Sequence, residues 1–254
     1  MTGFRRVLFR SAVERGLAGD LRSASGLVGG DAAKVGQSNK GPFSGTPFAD
    51  VLARALAVQE VNAAMGVIVA APTAGGAGVL PAVLTGLAAA RGIGDDAIVD
   101  ALATAGLIGA VVADRASLSG AEGGCQAETG AAAGMAAGAA TEMLGGTPAQ
   151  VGHAVALAQQ GTLGLVCDPL GGLVELPCVF RNATGSAIAL AAVEMALAGV
   201  EFAIPVDEVI DTMGEIGRSM DVRYRETAGG GLAATPTGRR LARERLVRIK
   251  RAGQ

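Results

Sequence analysis

A chain of 254 residues, half of them apolar and only 17% charged, can bury a sizeable core without disulfide support and is not disordered. A formal net charge of −2, with no Trp, one Tyr and six Phe, gives no pull toward nucleic acid or anionic lipid and removes the usual base-stacking platforms. Three cysteines and no secretory signal argue against a closed disulfide framework and for the reducing cytoplasm.

The first eleven residues, MTGFRRVLFRS, are unlike anything after them. The string resembles a translated sequencing adaptor, so residues 1–11 are expected to lie outside the fold and to have replaced the natural N-terminus. Residues 12–242 are then one domain and 243–254 a basic C-terminal tail. Residues 22–46 are polar and rich in Gly and Ser, and read as loop. An apolar helical stretch follows over 47–69, with Asp50, Arg54 and Glu60 at its polar positions.

Residues 61–90 carry no formal charge, long enough to span a bilayer. Asn62, Pro72, Thr73, Pro81 and the run Gly75-Gly76-Ala77-Gly78 break that stretch, so a buried helix, a glycine loop and a second helix fit better than a membrane span. Helices are predicted over 79–91 and 95–113. An Ala-rich segment, 129–144, is expected to be buried all round. Thr147, Pro148 and Gln150 announce the next helix with a capping box, and Gly161 stops it. Residues 162–182 read as loop, 183–198 as helix, and 206–219 as an amphipathic helix after Pro205. A glycine loop at 229–231 precedes a terminal helix from Arg239. No alternation long enough to demand a sheet occurs, so the fold class is all-α: a multi-helix catalytic domain with glycine-rich loops around its site.

Cys125, Cys167 and Cys178 each lie within two residues of Gly or Pro, in SLSGAEGGCQAE (117–128), GLVCDP (164–169) and LPC (176–178). Such positions leave room for a bulky ligand and let backbone N–H groups point at sulfur. Structural zinc normally takes four ligands in close pairs. Here no CxxC occurs and the lone His153 falls mid-helix, where it reads as structural. The spacing alone leaves plain buried thiols, a three-cysteine zinc and a three-cysteine iron–sulfur cluster all open.

Longer motifs go further. The stretches EVNAAMG (60–66), APTAGGAG (71–78), SLSGAEGGCQAE (117–128), GLVCDPLGGLVELPCVFRNA (164–183), IPVDEVID (204–211) and RETAGGGLAATPTG (225–238) together resemble the α part of the bacterial iron–sulfur L-serine dehydratases. The resemblance spans roughly residues 12–242. It implies an all-helical part that binds a [4Fe–4S] cluster through Cys125, Cys167 and Cys178 and forms pyruvate and ammonia from L-serine. It implies a turn for the substrate carboxylate at Thr73, Ala74 and Gly75. Ser117, Ser119 and Asn182 are expected behind these groups.

Glu122, Glu128, Asp168 and Glu175 are the acids nearest the cysteines in sequence and the candidates for the proton-transfer group. Pyridoxal phosphate is not expected, because Lys34, Lys40 and Lys250, the only lysines, lie outside the motifs. The expected partner is a serine dehydratase β chain or a missing N-terminal β domain, within an oligomer. Neither a nucleic-acid nor a membrane partner is expected. The rival readings are a related cluster-dependent lyase such as L-cysteine desulfidase, and a metal-free structural or binding subunit.

Overall fold

The computed structural model describes residues 2–252, with side chains described from Phe9 to Glu244. The helices are α1 (Thr2–Leu17), α2 (Asp31–Gln37), α3 (Pro47–Ala63), α4 (Val79–Arg91), α5 (Asp95–Arg115), α6 (Gly120–Gly123), α7 (Ala131–Met143), α8 (Pro148–Gln160), α9 (Cys178–Leu197), α10 (Val206–Ser219) and α11 (Pro236–Ala252). Among the described residues there is no sheet; one isolated parallel bridge joins Cys167 and Arg225. The chain is all-α, as its patterning predicts.

Helix α7 is the centre. It packs against α4, α5, α8 and α9, and every residue from Ala131 to Thr141 is buried. Side chains no larger than Ala over most of its surface let neighbouring axes come close, so four helices can share one hub. Larger residues on the surrounding helices, among them Leu80, Val83 and Leu84 of α4, complete the core. The predicted capping box is present on α8. Gln150 N donates to Thr147 Oγ1 at 3.3 Å, and Thr147 N donates to Gln150 Oε1 at 2.9 Å.

Several boundaries differ from the sequence expectation, each for a local reason. Helix α3 ends at Ala63, because Met65 turns to a φ of 63° ahead of Gly66. The loop over 22–46 contains α2, whose N-terminus is capped from another helix. The carboxylate of Glu60 accepts from Gly30 N (3.0 Å), Asp31 N (2.6 Å) and Ala32 N (3.0 Å), satisfying donors that a short helix leaves open. Helix α9 begins at Cys178 rather than at 183, and α11 at Pro236 rather than at 239. The stretch over 61–90 is divided, as expected, between α3, a glycine loop and α4. Helix α5 is long and apolar enough to cross a bilayer, but it lies on the bundle through Ile98, Ala101, Ala105, Gly109 and Val112.

The N-terminus differs more. Residues 1–11 are expected to lie outside the fold; in the structure α1 packs on the bundle from Phe9 onward. That ring is 5% exposed within the main core, and Arg10 pairs with Asp95 at the start of α5. Phe9, Ala12 and Val13 are all buried on α1, so the helix face that packs at Ala12 continues backward through Phe9. Met1 and the side chains of residues 2–8 are outside the described part, as are the tail's side chains from 245 and residues 253–254.

Candidate active site

Three segments meet at one end of the bundle. The first runs from the end of α5 through α6 into a single π-helical turn, Gln126–Gly130, that leads directly into α7. Such turns are rare and gather at functional sites. It lies between Cys125 and α7 and carries Glu128. Cys125 Sγ and Thr129 Oγ1 are 3.1 Å apart. The second segment holds Cys167, whose N–H donates to Tyr224 O at 2.8 Å while its carbonyl accepts from Glu226 N at 2.9 Å. The third is the first turn of α9, with Cys178 at a helix N-terminus, a position that favours a thiolate.

All three cysteines are buried and none forms a disulfide. Burial raises the pKa of each thiol, and the Glu128 charge adds to it. Cys178 is pushed up to about 12, by burial first, then by Cys125 and Glu128. Cys167 is pushed up further, with Cys125, Glu128 and Cys178 following burial as causes. For Cys125 burial again dominates, opposed by the Thr129 hydrogen bond and the Arg181 charge.

The expected acids separate by environment. Glu128 is 9% exposed. Its Oε1 accepts from Thr73 Oγ1 at 2.7 Å, and its Oε2 lies 3.9 Å from Cys167 Sγ. Burial raises its pKa, against the Thr73 hydrogen bond. One oxygen each of Glu128 and Glu226 and the sulfur of Cys167 lie within 4.8 Å of one another. Glu122 lines the same cleft and accepts from Ser117 Oγ at 2.6 Å. Asp168 and Glu175 point elsewhere. Asp168 forms a buried ion pair with Arg181 at 2.7 Å and accepts from Leu232 N at 2.6 Å. Glu175 accepts from Ser25 N at 3.1 Å and from the Ser25 hydroxyl, tying the loop before α2 to the start of α9.

The 73–75 turn lies directly against Glu128. Its carbonyls are held from behind: Gln59 Nε2 donates to Ala74 O at 2.8 Å, and Asn182 Nδ2 donates to Gly75 O at 2.7 Å. Asn182 is completely buried, accepts from Gly78 N at 2.9 Å and also donates to Cys178 O at 2.9 Å. One amide therefore fixes the turn relative to the third cysteine. A Cβ on Gly75 would fall 2.8 Å from both Glu128 oxygens, and one on Gly120 would fall 2.7 Å from Oε2 and 3.2 Å from Cys167 Sγ. Both positions need glycine because the carboxylate and the sulfur occupy that space.

An open cleft of about 400 Å³ is lined by Thr73, Ser117, Ser119, Glu122, Glu128 and Glu226. The structure thus gathers Thr73, Ser117, Ser119, Glu122 and Glu128 around one cleft, with Gly75 and Cys167 against Glu128 and Asn182 behind the turn. His153 lies elsewhere; its Nδ1 accepts from Phe202 N at 3.2 Å.

Two residues of the site are absent from the sequence expectation. Glu226 reaches the cleft only through the Cys167 bridge, for which no local pattern exists. Arg181 was legible: it follows Cys178 by three residues, one helical turn, and so shares its face. Its Nη1 also donates to Val166 O at 2.9 Å, joining two cysteine segments.

The donor set suits a cationic centre. Burial and neighbouring negative groups make the three thiols harder to ionise, and a bound cation reverses that. Three sulfur ligands match an iron–sulfur cluster with one iron left open.

Comparison with known proteins shows the family. The family model described as serine dehydratase alpha chain matches residues 3–233. A Bacillus subtilis (strain 168) protein named probable L-serine dehydratase, alpha chain, is 51% identical over 93% of this chain and 79% of its own length. The L-serine dehydratase alpha chain of Peptoniphilus asaccharolyticus is 47% identical over 84% of this chain and 72% of its own. In the L-serine dehydratase of Streptomyces coelicolor, 70% of this chain matches 40% of a longer protein at 49% identity. The chain belongs to the serine dehydratase alpha chain family.

Proposed function

We propose that this protein is the catalytic α part of an iron–sulfur L-serine dehydratase, converting L-serine to pyruvate and ammonia in the cytoplasm. The observation that carries the reading is the convergence of Cys125, Cys167 and Cys178, from three separate segments, on a buried site beside Glu128. In this reading the three sulfurs hold a [4Fe–4S] cluster, which supplies a Lewis acid for the serine β-hydroxyl.

The chain's own residues do the rest. Thr73 and the backbone of Ala74 and Gly75 orient the substrate carboxylate, held rigid by Gln59 and Asn182. Ser117 positions Glu122 along the cleft wall, and the Ser119 N–H in turn donates to Ser117 Oγ at 3.0 Å. Glu128 Oε2, facing the cysteines, gives a proton to the departing hydroxyl, which leaves as water. The α-proton passes to a base, for which Glu122 and Glu226 are the other carboxylates that line the cleft. The resulting aminoacrylate tautomerises to an imine, and water hydrolyses it to pyruvate and ammonia.

Two relatives carry alpha-chain names, which imply a β chain, and we infer the same partner for this chain, within an oligomer. The test is anaerobic reconstitution with iron and sulfide, together with a β partner, followed by turnover assays on L-serine and L-cysteine. Pyruvate from serine, lost in Glu128→Gln, is the expected result. Sulfide from cysteine without pyruvate from serine would instead identify a desulfidase. Failure to take up iron or to turn over either substrate would leave a metal-free structural or binding subunit.

A further inference from the structure

Beside the cleft lies a second cavity, of about 370 Å³, between the 116–123 segment and α10. It shares Ala116, Ser117 and Glu122 with the cleft as a common wall. Its distinguishing residues are Arg218 and Arg225. Neither guanidinium has an ion-pair or hydrogen-bond partner among the described residues, and the Nε of Arg225 is buried without one. Asp221, an acid close by in sequence, is taken by Arg223 at 3.0 Å. Asp221 also feels the Arg225 charge, and Glu122, the one acid that lines the cavity, is already bonded to Ser117. A buried guanidinium nitrogen without an acceptor is costly unless a ligand supplies one.

Arg225 is also joined to the cysteine site through the backbone. It is the bridge partner of Cys167, with Tyr224 O and Glu226 N bonded on either side. Arg225 lines the second cavity while its chain neighbour Glu226 lines the cleft. Immediately after, Glu226 and Ala228 take φ values of 63° and 55°, rare for residues other than glycine and a form of strain that collects at functional segments.

We propose that this cavity is a separate binding site for a small carboxylate, held by Arg225 and Arg218, and that its occupancy sets the position of Glu226 and Cys167. Planar guanidinium groups favour carboxylates through paired hydrogen bonds. The choice of a carboxylate rests on the proposed reaction, whose substrate and product both carry one; the binding of a small oxyanion does not depend on it.

The experiment is equilibrium dialysis of the full chain against labelled pyruvate, with inorganic phosphate as a second arm. Hydrogen exchange of peptides covering 224–228 is followed alongside. The expected result is saturable binding of one pyruvate per chain, weakened about tenfold or more in Arg225→Gln and in Arg218→Gln. Cys178→Ser should keep the binding, because the site is separate from the cysteines. Exchange over 224–228 should slow on binding. If Arg225→Gln does not fold, Arg225→Lys keeps the charge and loses the paired geometry, and should still weaken binding. Undiminished binding in the folded arginine variants, binding of phosphate but not pyruvate, loss of binding in Cys178→Ser, or unchanged exchange over 224–228 would each overturn the proposal. Because dialysis needs no turnover, these outcomes are independent of whether the chain dehydrates serine.

Discussion

Around α7 the molecule is held by small apolar side chains, while at the adjoining site it is held by buried polar ones. Ala132, Ala133, Ala136, Ala137, Ala139 and Ala140 are completely buried in the bundle. At the site, Gln59, Gln126 and Asn182 are just as inaccessible, and each bonds to the backbone of another segment. The bundle depends on area removed from water, which is non-directional. The site depends on bonds with direction, which fix loops that burial alone would leave free. The two regions should therefore fail differently when altered.

The largest expected effect on stability is in the bundle. Leu84→Ala removes a completely buried side chain and should cost about 4 kcal/mol in chemical denaturation, with the metal taken up per folded chain unchanged. A loss of metal uptake in the folded fraction would mean that the regions are not separable. Next comes Asp168→Asn, which leaves Arg181 half-buried without its countercharge. We expect a loss of about 3 kcal/mol, read by denaturation. Gly75→Ala should do the reverse of Leu84→Ala. Its Cβ would strike the Glu128 carboxylate, so turnover should fall about 100-fold while the melting temperature barely moves. Gly94→Ala is the control, since nothing lies within 4 Å of its Cβ position. The smallest effect is Thr147→Ala, which opens the α8 capping box and should cost about 1 kcal/mol without touching turnover.

The same contrast explains what was legible in the sequence. Apolar period and capping chemistry are local, so α4, α8 and α10 follow the sequence reading closely, with α8 showing the expected box. The cysteines stood out because Gly and Pro flank them. What was not legible is whatever depends on distant pairing. Glu60 looks like a surface position of α3 until α2 is folded onto it, and Glu226 is an ordinary acid until Cys167 bridges to Arg225. The π-helical turn after Cys125 has no sequence signature either, since Gln-Ala-Glu-Thr-Gly serves equally for an α-helical turn. The place of Phe9 on the apolar face of α1 is hidden by the unusual composition of residues 1–11. Among the four acids, sequence distance to a cysteine could not rank them. Burial and partners do: Asp168 and Glu175 are committed to Arg181 and Ser25, and Glu128 faces Cys167.

The central claim is that Cys125, Cys167 and Cys178 act together as one ligand set. The most direct measurement is iron and acid-labile sulfide bound per chain after anaerobic reconstitution, for the unaltered protein and for each Cys→Ser variant, with circular dichroism confirming the helical fold. The account predicts a [4Fe–4S] complement with its broad visible absorbance in the unaltered protein, and its loss in each of the three variants without loss of helix. Full iron and sulfide content in any one folded variant would contradict it.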